Sequence, residues 1–249
     1  MTRRLFLALS ALLLGLILPP VRAQEPPPDV RLRFLFLDET DGAYSLKTGD
    51  TYRRLTTTPY AISPPVLAKP HTQLEIFKDS ATPDPVTGKP VRLKAATVTV
   101  PAGTPRSLVV IAPRPAPADP AAAPAWDVAF FNSDPQTFPA KSIRILNLDH
   151  VAMAARFGSV HAIVQPGESC ILQPDTDRRN RVFARIAVAA GAGWKLLYDN
   201  VTILRPGERL TGIFVYSPSG LRYTYTEGEL EDRGPPPPGH FWLTYSDTP

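Results

Sequence analysis

Apolar and polar residues alternate along this chain in short runs with a period of two. Val30, Leu32, Phe34 and Phe36 share one face of the segment Val30–Leu37. Leu74 and Ile76 alternate with Gln73 and Glu75, and Ile143 and Ile145 recur in the same way. Val182, Ala184, Ile186 and Val188 form a fourth such stripe, and Leu221, Tyr223 and Tyr225 a fifth. Successive side chains of a strand point to opposite faces, so this pattern predicts half-buried sheets. Beyond residue 23 no twelve-residue stretch keeps a 3.6-residue period. His150–Phe157 spans barely two helical turns and is read as strand. The expected class is all-β.

The first 23 residues break the pattern. Arg3 and Arg4 precede an uncharged run from Leu5 to Leu18, and Pro19 and Pro20 end it. Val21-Arg22-Ala23 then offers small residues at a cleavage site. The run is short for a bilayer crossing, which needs about 20 residues. The reading is a secretory signal peptide cleaved after Ala23, with no membrane span in the mature chain. The exported protein is expected in the periplasm, on the outer surface or outside the cell.

Proline sets the expected boundaries. There are 30 prolines in 249 residues, clustered at Pro26–Pro28, between Pro113 and Pro124, and at Pro235–Pro238. Such clusters suit extended linkers. They divide the chain into a leader at 24–28, a β-domain at 29–113, a linker at 114–124, a second β-domain at 125–233 and a tail at 234–249. Pro101–Pro113 and Pro206–Pro218 echo one another as turn, polar spacer, apolar strand and proline stop. That echo leaves duplication and ordinary turn chemistry both open. Two hairpins are expected. One turns at Gly158-Ser159 and sets His161 opposite Arg156. The other turns at Ser217–Gly220 and sets Tyr216 opposite Leu221 and Phe214 opposite Tyr223. Trp126 and Trp194 sit in apolar strands and are expected in the core. Trp242 lies in the tail, which is expected to pack back as an edge strand.

Several segments carry a resemblance: the signal, Phe138-Pro139, Ser142–Leu148, the Gln165-Pro166-Gly167 turn and Gly193-Trp194. Together they resemble a bacterial family of exported proteins of unknown function, over most of residues 125–230 and less of the first half. The resemblance implies two tandem immunoglobulin-like antiparallel β-sandwich domains after the signal, and no catalytic residues.

Charge and chemistry narrow the function. The net charge is +4, but removing Arg3, Arg4 and Arg22 leaves 24 basic against 23 acidic residues. The balance gives no reason to expect nucleic-acid binding. Cys170 is the single cysteine, so no internal disulfide can form, and its apolar surroundings predict a buried thiol. The four histidines lack metal-ligand spacing, and the hairpin register keeps His150 and His161 apart. Asp38–Gly42 misses the calcium-loop pattern at both ends. No nucleophile elbow and no phosphate loop occurs. No cofactor or metal is expected. Candidate ligand contacts are Tyr223 and Tyr225 as a stacking row, and Arg178, Arg179 and Arg181 as a basic turn. The expected function is a non-enzymatic structural or binding module of the cell envelope, with envelope proteins or glycans as partners. The alternative is a polysaccharide hydrolase built from dispersed Asp and Glu.

Overall fold

The structure is a computed structural model that describes residues 28–38, 43–56, 60–113, 126–221 and 237–247. Among the described residues all regular structure is β. The first eight strands are β1 (Val30–Phe36), β2 (Tyr44–Thr48), β3 (Thr51–Thr56), β4 (Val66–Ala68), β5 (Gln73–Pro83), β6 (Pro90–Thr99), β7 (Arg106–Pro113) and β8 (Trp126–Asn132). The next eight are β9 (Ile143–Asn147), β10 (Met153–Phe157), β11 (Val160–Val164), β12 (Ser169–Leu172), β13 (Arg181–Ala190), β14 (Gly193–Ile203), β15 (Arg209–Ser217) and β16 (Gly239–Asp247).

They form four four-stranded sheets. Two have the orders β4-β1-β7-β8 and β3-β2-β5-β6, and two have β12-β9-β15-β16 and β11-β10-β13-β14. Adding eight to each label of the first pair gives the second pair. The directions repeat too: β1 runs parallel to β7 and β9 parallel to β15, and every other neighbouring pair is antiparallel. The molecule is therefore one eight-strand sandwich built twice. The two echoing segments fall on β7 and β15, which hold the same place in the two units.

Each unit has its own core, and the alternation forms it. Val30, Leu32, Phe34 and Phe36 of β1 face Leu46, Ile76 and Val98 in the first. Val182, Ala184, Ile186 and Val188 of β13 face Ile143, Ile145 and Phe214 in the second. The β10–β11 hairpin turns at Gly158, and Arg156 pairs with His161 as the sequence predicts. Gly158 has φ +59°, so the backbone conformation favours glycine, while a Cβ there would make ordinary contact with Val182 at 3.4 Å.

Three expectations fail. The proline-rich run at 114–124 does not separate the units. Trp126–Asn132 after it pairs antiparallel with β7, so the run joins two strands of one sheet. The passage between units falls at 133–142, one strand later. The second expected hairpin does not hold at its described positions, Tyr216 and Phe214, and Tyr223 lies outside the described residues. β15 pairs with β16, which sets Tyr216 opposite His240 and Phe214 opposite Trp242. The tail thus supplies the eighth strand of the second unit, as Trp126–Asn132 does in the first. Last, Trp194 is not core: it stands about half exposed on β14. β14 alternates Trp194, Leu196 and Val201 outward, and a core reading needs that face covered.

A third apolar cluster joins the units. Leu35, Tyr60, Leu108 and Val110 of the first pack with Leu146, Ile213, Val215 and Leu221 of the second. The sheets that carry β1 and β9 thus have apolar residues on both faces, and the four sheets stack as one body. The stack contrasts with the expected independent domains on an extended linker.

Candidate functional site

The seam between the units is graded along its length. On β1 the seam-facing residues read Arg31, Arg33, Leu35 and, just beyond the strand, Leu37. On β7 they read Arg106, Leu108 and Val110. On β9 and its continuation they read Arg144, Leu146 and Leu148, and on β15 Arg209, Thr211, Ile213 and Val215. Each strand enters on arginine and leaves on an aliphatic residue. Because β1 and β7 run parallel, as do β9 and β15, the arginine ends of each sheet fall together. Arg31 pairs directly with Arg106 across the first ladder.

The two arginine ends meet around one small cavity of about 30 Å³, lined by these five arginines together with Ser107, Ser133, Thr211 and Asp247. Asp247 is the one carboxylate among its lining residues. It accepts from Arg33 Nη1 at 3.0 Å and from Arg209 Nη2 at 3.1 Å, tying β1 to β15. Arg209 Nη1 donates to the carbonyls of Ser133 (2.9 Å) and Phe138 (3.1 Å). Arg144 donates to the Asn132 carbonyl (3.0 Å), Ser133 Oγ (3.1 Å) and Thr211 Oγ1 (3.0 Å). Both guanidinium groups lie over the buried Phe138 ring, at 4.6 and 5.3 Å. These contacts pin the connecting segment 133–142 and favour guanidinium over ammonium, which lacks the planar fork.

Arg144 and Arg209 are almost wholly buried, at 4% and 1% exposure. Burial pushes Arg144 down to about 10, against a partial upward pull from Asp247. Arg209 is also lowered, first by burial, and the like charges of Arg106 and Arg33 act in the same direction. Three buried donors in these residues lack a partner: Ser107 Oγ, Arg144 Nε and Arg209 Nε. A buried polar group without a partner costs about 1–3 kcal/mol, and charged groups cost more.

Other polar clusters are smaller. Asp149 is buried and accepts from His240 Nδ1 (2.8 Å) and the His150 backbone N–H (2.6 Å), with His150 Nδ1 at 3.0 Å. Tyr216 packs edge-on against both imidazoles. Sequence spacing missed this pair because it joins the bend after β9 to β16, 91 residues apart. Asp38 receives Tyr44 Oη at 2.5 Å and an ion pair from Lys78, so this part of the acidic turn is structural. Residues 39–42 lie outside the described residues. Glu208 accepts from Ser246 Oγ at 2.5 Å and from the Arg205 N–H at 2.8 Å. Among the described residues no three His, Cys, Asp or Glu side chains are grouped to hold a metal. Nor is any helix long and apolar enough to cross a membrane.

The expected contacts do not join the cavity. Arg178, Arg179 and Arg181 are exposed on the turn before β13. Asp177 organises it, accepting from the Arg179 N–H at 2.8 Å and pairing with Arg181 Nη2 at 2.7 Å. Hydrogen bonds from Arg181 hold the Asp177 carboxyl down at about 2. Tyr223 and Tyr225 lie outside the described residues. Cys170, expected to be buried, is partly exposed on the edge strand β12, and burial still raises its thiol. The signal for the cavity was present in the sequence as arginine two residues before an aliphatic pair on β1, β7 and β9, with Thr211 intervening on β15. Period-two analysis assigns that polar face to solvent.

No family model matches the chain, and no curated protein matches it. Among solved structures it is similar to the Bacillus anthracis TIE protein, at 10% identity and a TM-score of 0.23. That match covers 75% of this chain and 33% of the other, so the chain spans about a third of that protein's length.

Proposed function

We propose that this chain is an exported, non-enzymatic β-sandwich protein that serves the bacterial cell envelope as a rigid binding module. The observation that supports the reading best is the welded seam. Two sandwiches of one topology share an apolar cluster and a set of charged hydrogen bonds, which fixes the relation between their outer sheets. A body of this kind presents surfaces rather than closing over a substrate. The buried carboxylates Asp38, Asp149 and Glu208 each have separate partner sets. The resemblance to exported proteins and the residues 1–23 supply the location. Envelope proteins or glycans are the partner classes.

The test has two parts. A tagged full-length copy in a bacterial host should be recovered in the envelope or medium with Gln24 at its N-terminus. Purified mature protein should be retained on isolated envelope glycans or proteins and release no fragments from them. Cytosolic recovery with residues 1–23 retained would overturn the location. Release of sugar fragments, abolished by a single Asp or Glu substitution, would replace the reading with the hydrolase alternative.

A further inference from the structure

We infer that the arginine cavity at the seam is a binding site for a tetrahedral oxyanion of the phosphate or sulfate class. This deepens the binding-module reading and rests on it. Among the described residues five guanidinium groups line the cavity and one carboxylate answers them. Asp247 engages two of the five, Arg33 and Arg209. Arg31, Arg106 and Arg144 form no ion pair with the described residues. Arg144 is the sharpest case, a buried cation whose hydrogen bonds all go to neutral oxygens. A buried charge without a counter-ion is strongly destabilising. The fold nevertheless gathers this set from four strands of two sheets, and an anion in the cavity would offset the cost.

The donors specify the class. Guanidinium forks match oxyanions through paired N–H bonds. Ser107 Oγ, Arg144 Nε and Arg209 Nε are buried, unpartnered and belong to lining residues. Groups approach from both sheets, whereas a planar carboxylate offers acceptors along one edge. The excess of positive charge also favours a dianion. The volume of about 30 Å³ is roughly two water positions, enough for one head group and too little for a sugar ring. The source is either the free ion or a monoester whose remaining part stays outside. Because Arg31 and Arg106 come from the first unit and Arg144 and Arg209 from the second, an anion here would bridge the two sandwiches.

The test uses the mature chain at constant ionic strength, since screening alone shifts stability. Melting temperature and calorimetric titration are followed with inorganic phosphate, sulfate, glycerol phosphate, acetate and chloride. A saturable stabilisation by phosphate or sulfate, absent with chloride, is expected. Arg144 and Arg209 pin the connecting segment, so their variants risk misfolding. The variant is instead Arg31→Gln with Arg106→Gln, both at half-buried positions. It should weaken anion affinity tenfold or more without lowering the ligand-free melting temperature, which relief of the like-charge repulsion would raise if it changes at all. Stronger binding of glycerol phosphate than of the free ion would assign a monoester head group, and the reverse would assign the free ion. No saturable response, a response to acetate alone, or an equal response from the double variant would each overturn the inference. Retention on envelope material with no anion response would sink this site and leave the binding-module reading standing.

Discussion

The two sandwiches share a topology and differ in what they show to water. The outer sheet of the first is screened by charge. Lys94 and Lys47 reach Glu75 at 2.6 and 3.9 Å, and Arg92 covers the Tyr52 ring at 4.3 Å. Among the described residues the outer sheet of the second carries one ion pair between its strands, Arg185 to Asp199 at 3.2 Å. Around it Ile163, Phe183, Trp194, Leu196, Val201 and Ile203 stand about half exposed. One row of that face reads Ile163, Ala154, Ala187 and Leu196 across four strands. The inner sheets carry the same constraint in both units, a core on one side and the seam on the other. Only the outer faces were free to diverge. The lesson is that burial demands fix the inner strands and leave the outward residues of β13 and β14 free of them.

That comparison can be broken at the seam first. Leu146→Ala removes a fully buried side chain from the shared cluster. It should cost about 3 kcal/mol, and calorimetry should show both units still unfolding in one transition. Two separated transitions would show that the sandwiches are independent. Gly212→Ala probes the second unit alone. An added Cβ would lie 1.9 Å from the Trp242 ring, so the ring must leave its place. Overpacking of this kind costs about 2–3 kcal/mol, and the tryptophan emission should shift to the red as Trp242 gains water.

A smaller effect marks the first unit. Burial, and then its bond to Asp38, hold the Tyr44 hydroxyl well above the usual tyrosine range. The folded value lies above the unfolded one. The stability is therefore complete below about pH 10 and is lost as the unfolded chain ionises above it. The wild type should lose about 1.4 kcal/mol per pH unit there relative to Tyr44→Phe. Parallel alkaline melting curves would refute the assignment. The smallest effect belongs to the outer face. Trp194→Ser should change stability by less than about 1 kcal/mol and shorten retention on a hydrophobic column. A large drop in melting temperature would mean that Trp194 is core after all.

Much of the architecture was legible as period two. The inward stripe of β1, the stripe of β13 and the register of the β10–β11 hairpin follow from alternation and one glycine turn. The boundary was not legible. Proline runs mark exposed chain, and exposed chain occurs between strands of one sheet as readily as between domains. The pairing of β15 with β16 was hidden for the same reason, since a run of four prolines stands between them. The cavity was missed on different grounds. Arg31, Arg33, Arg106, Arg144 and Arg209 occupy polar positions of amphipathic strands, and nothing local reveals that a second sheet will cover them.

The ion pair between Arg33 and Asp247 joins residues 214 positions apart, and this has a consequence for synthesis. The first sandwich is complete once β8 has emerged, but its half of the seam is not. Leu35, Tyr60, Leu108 and Val110 face water until Leu146, Ile213 and Val215 have emerged, and the cluster is closed only when Phe241, Leu243 and Tyr245 of β16 arrive. A vectorially emerging chain that folds its first unit early carries a sticky face for the whole interval. A truncation that ends before β16 should therefore aggregate rather than yield a soluble first sandwich, and slow synthesis or delayed release of the C-terminus should expose the same hazard.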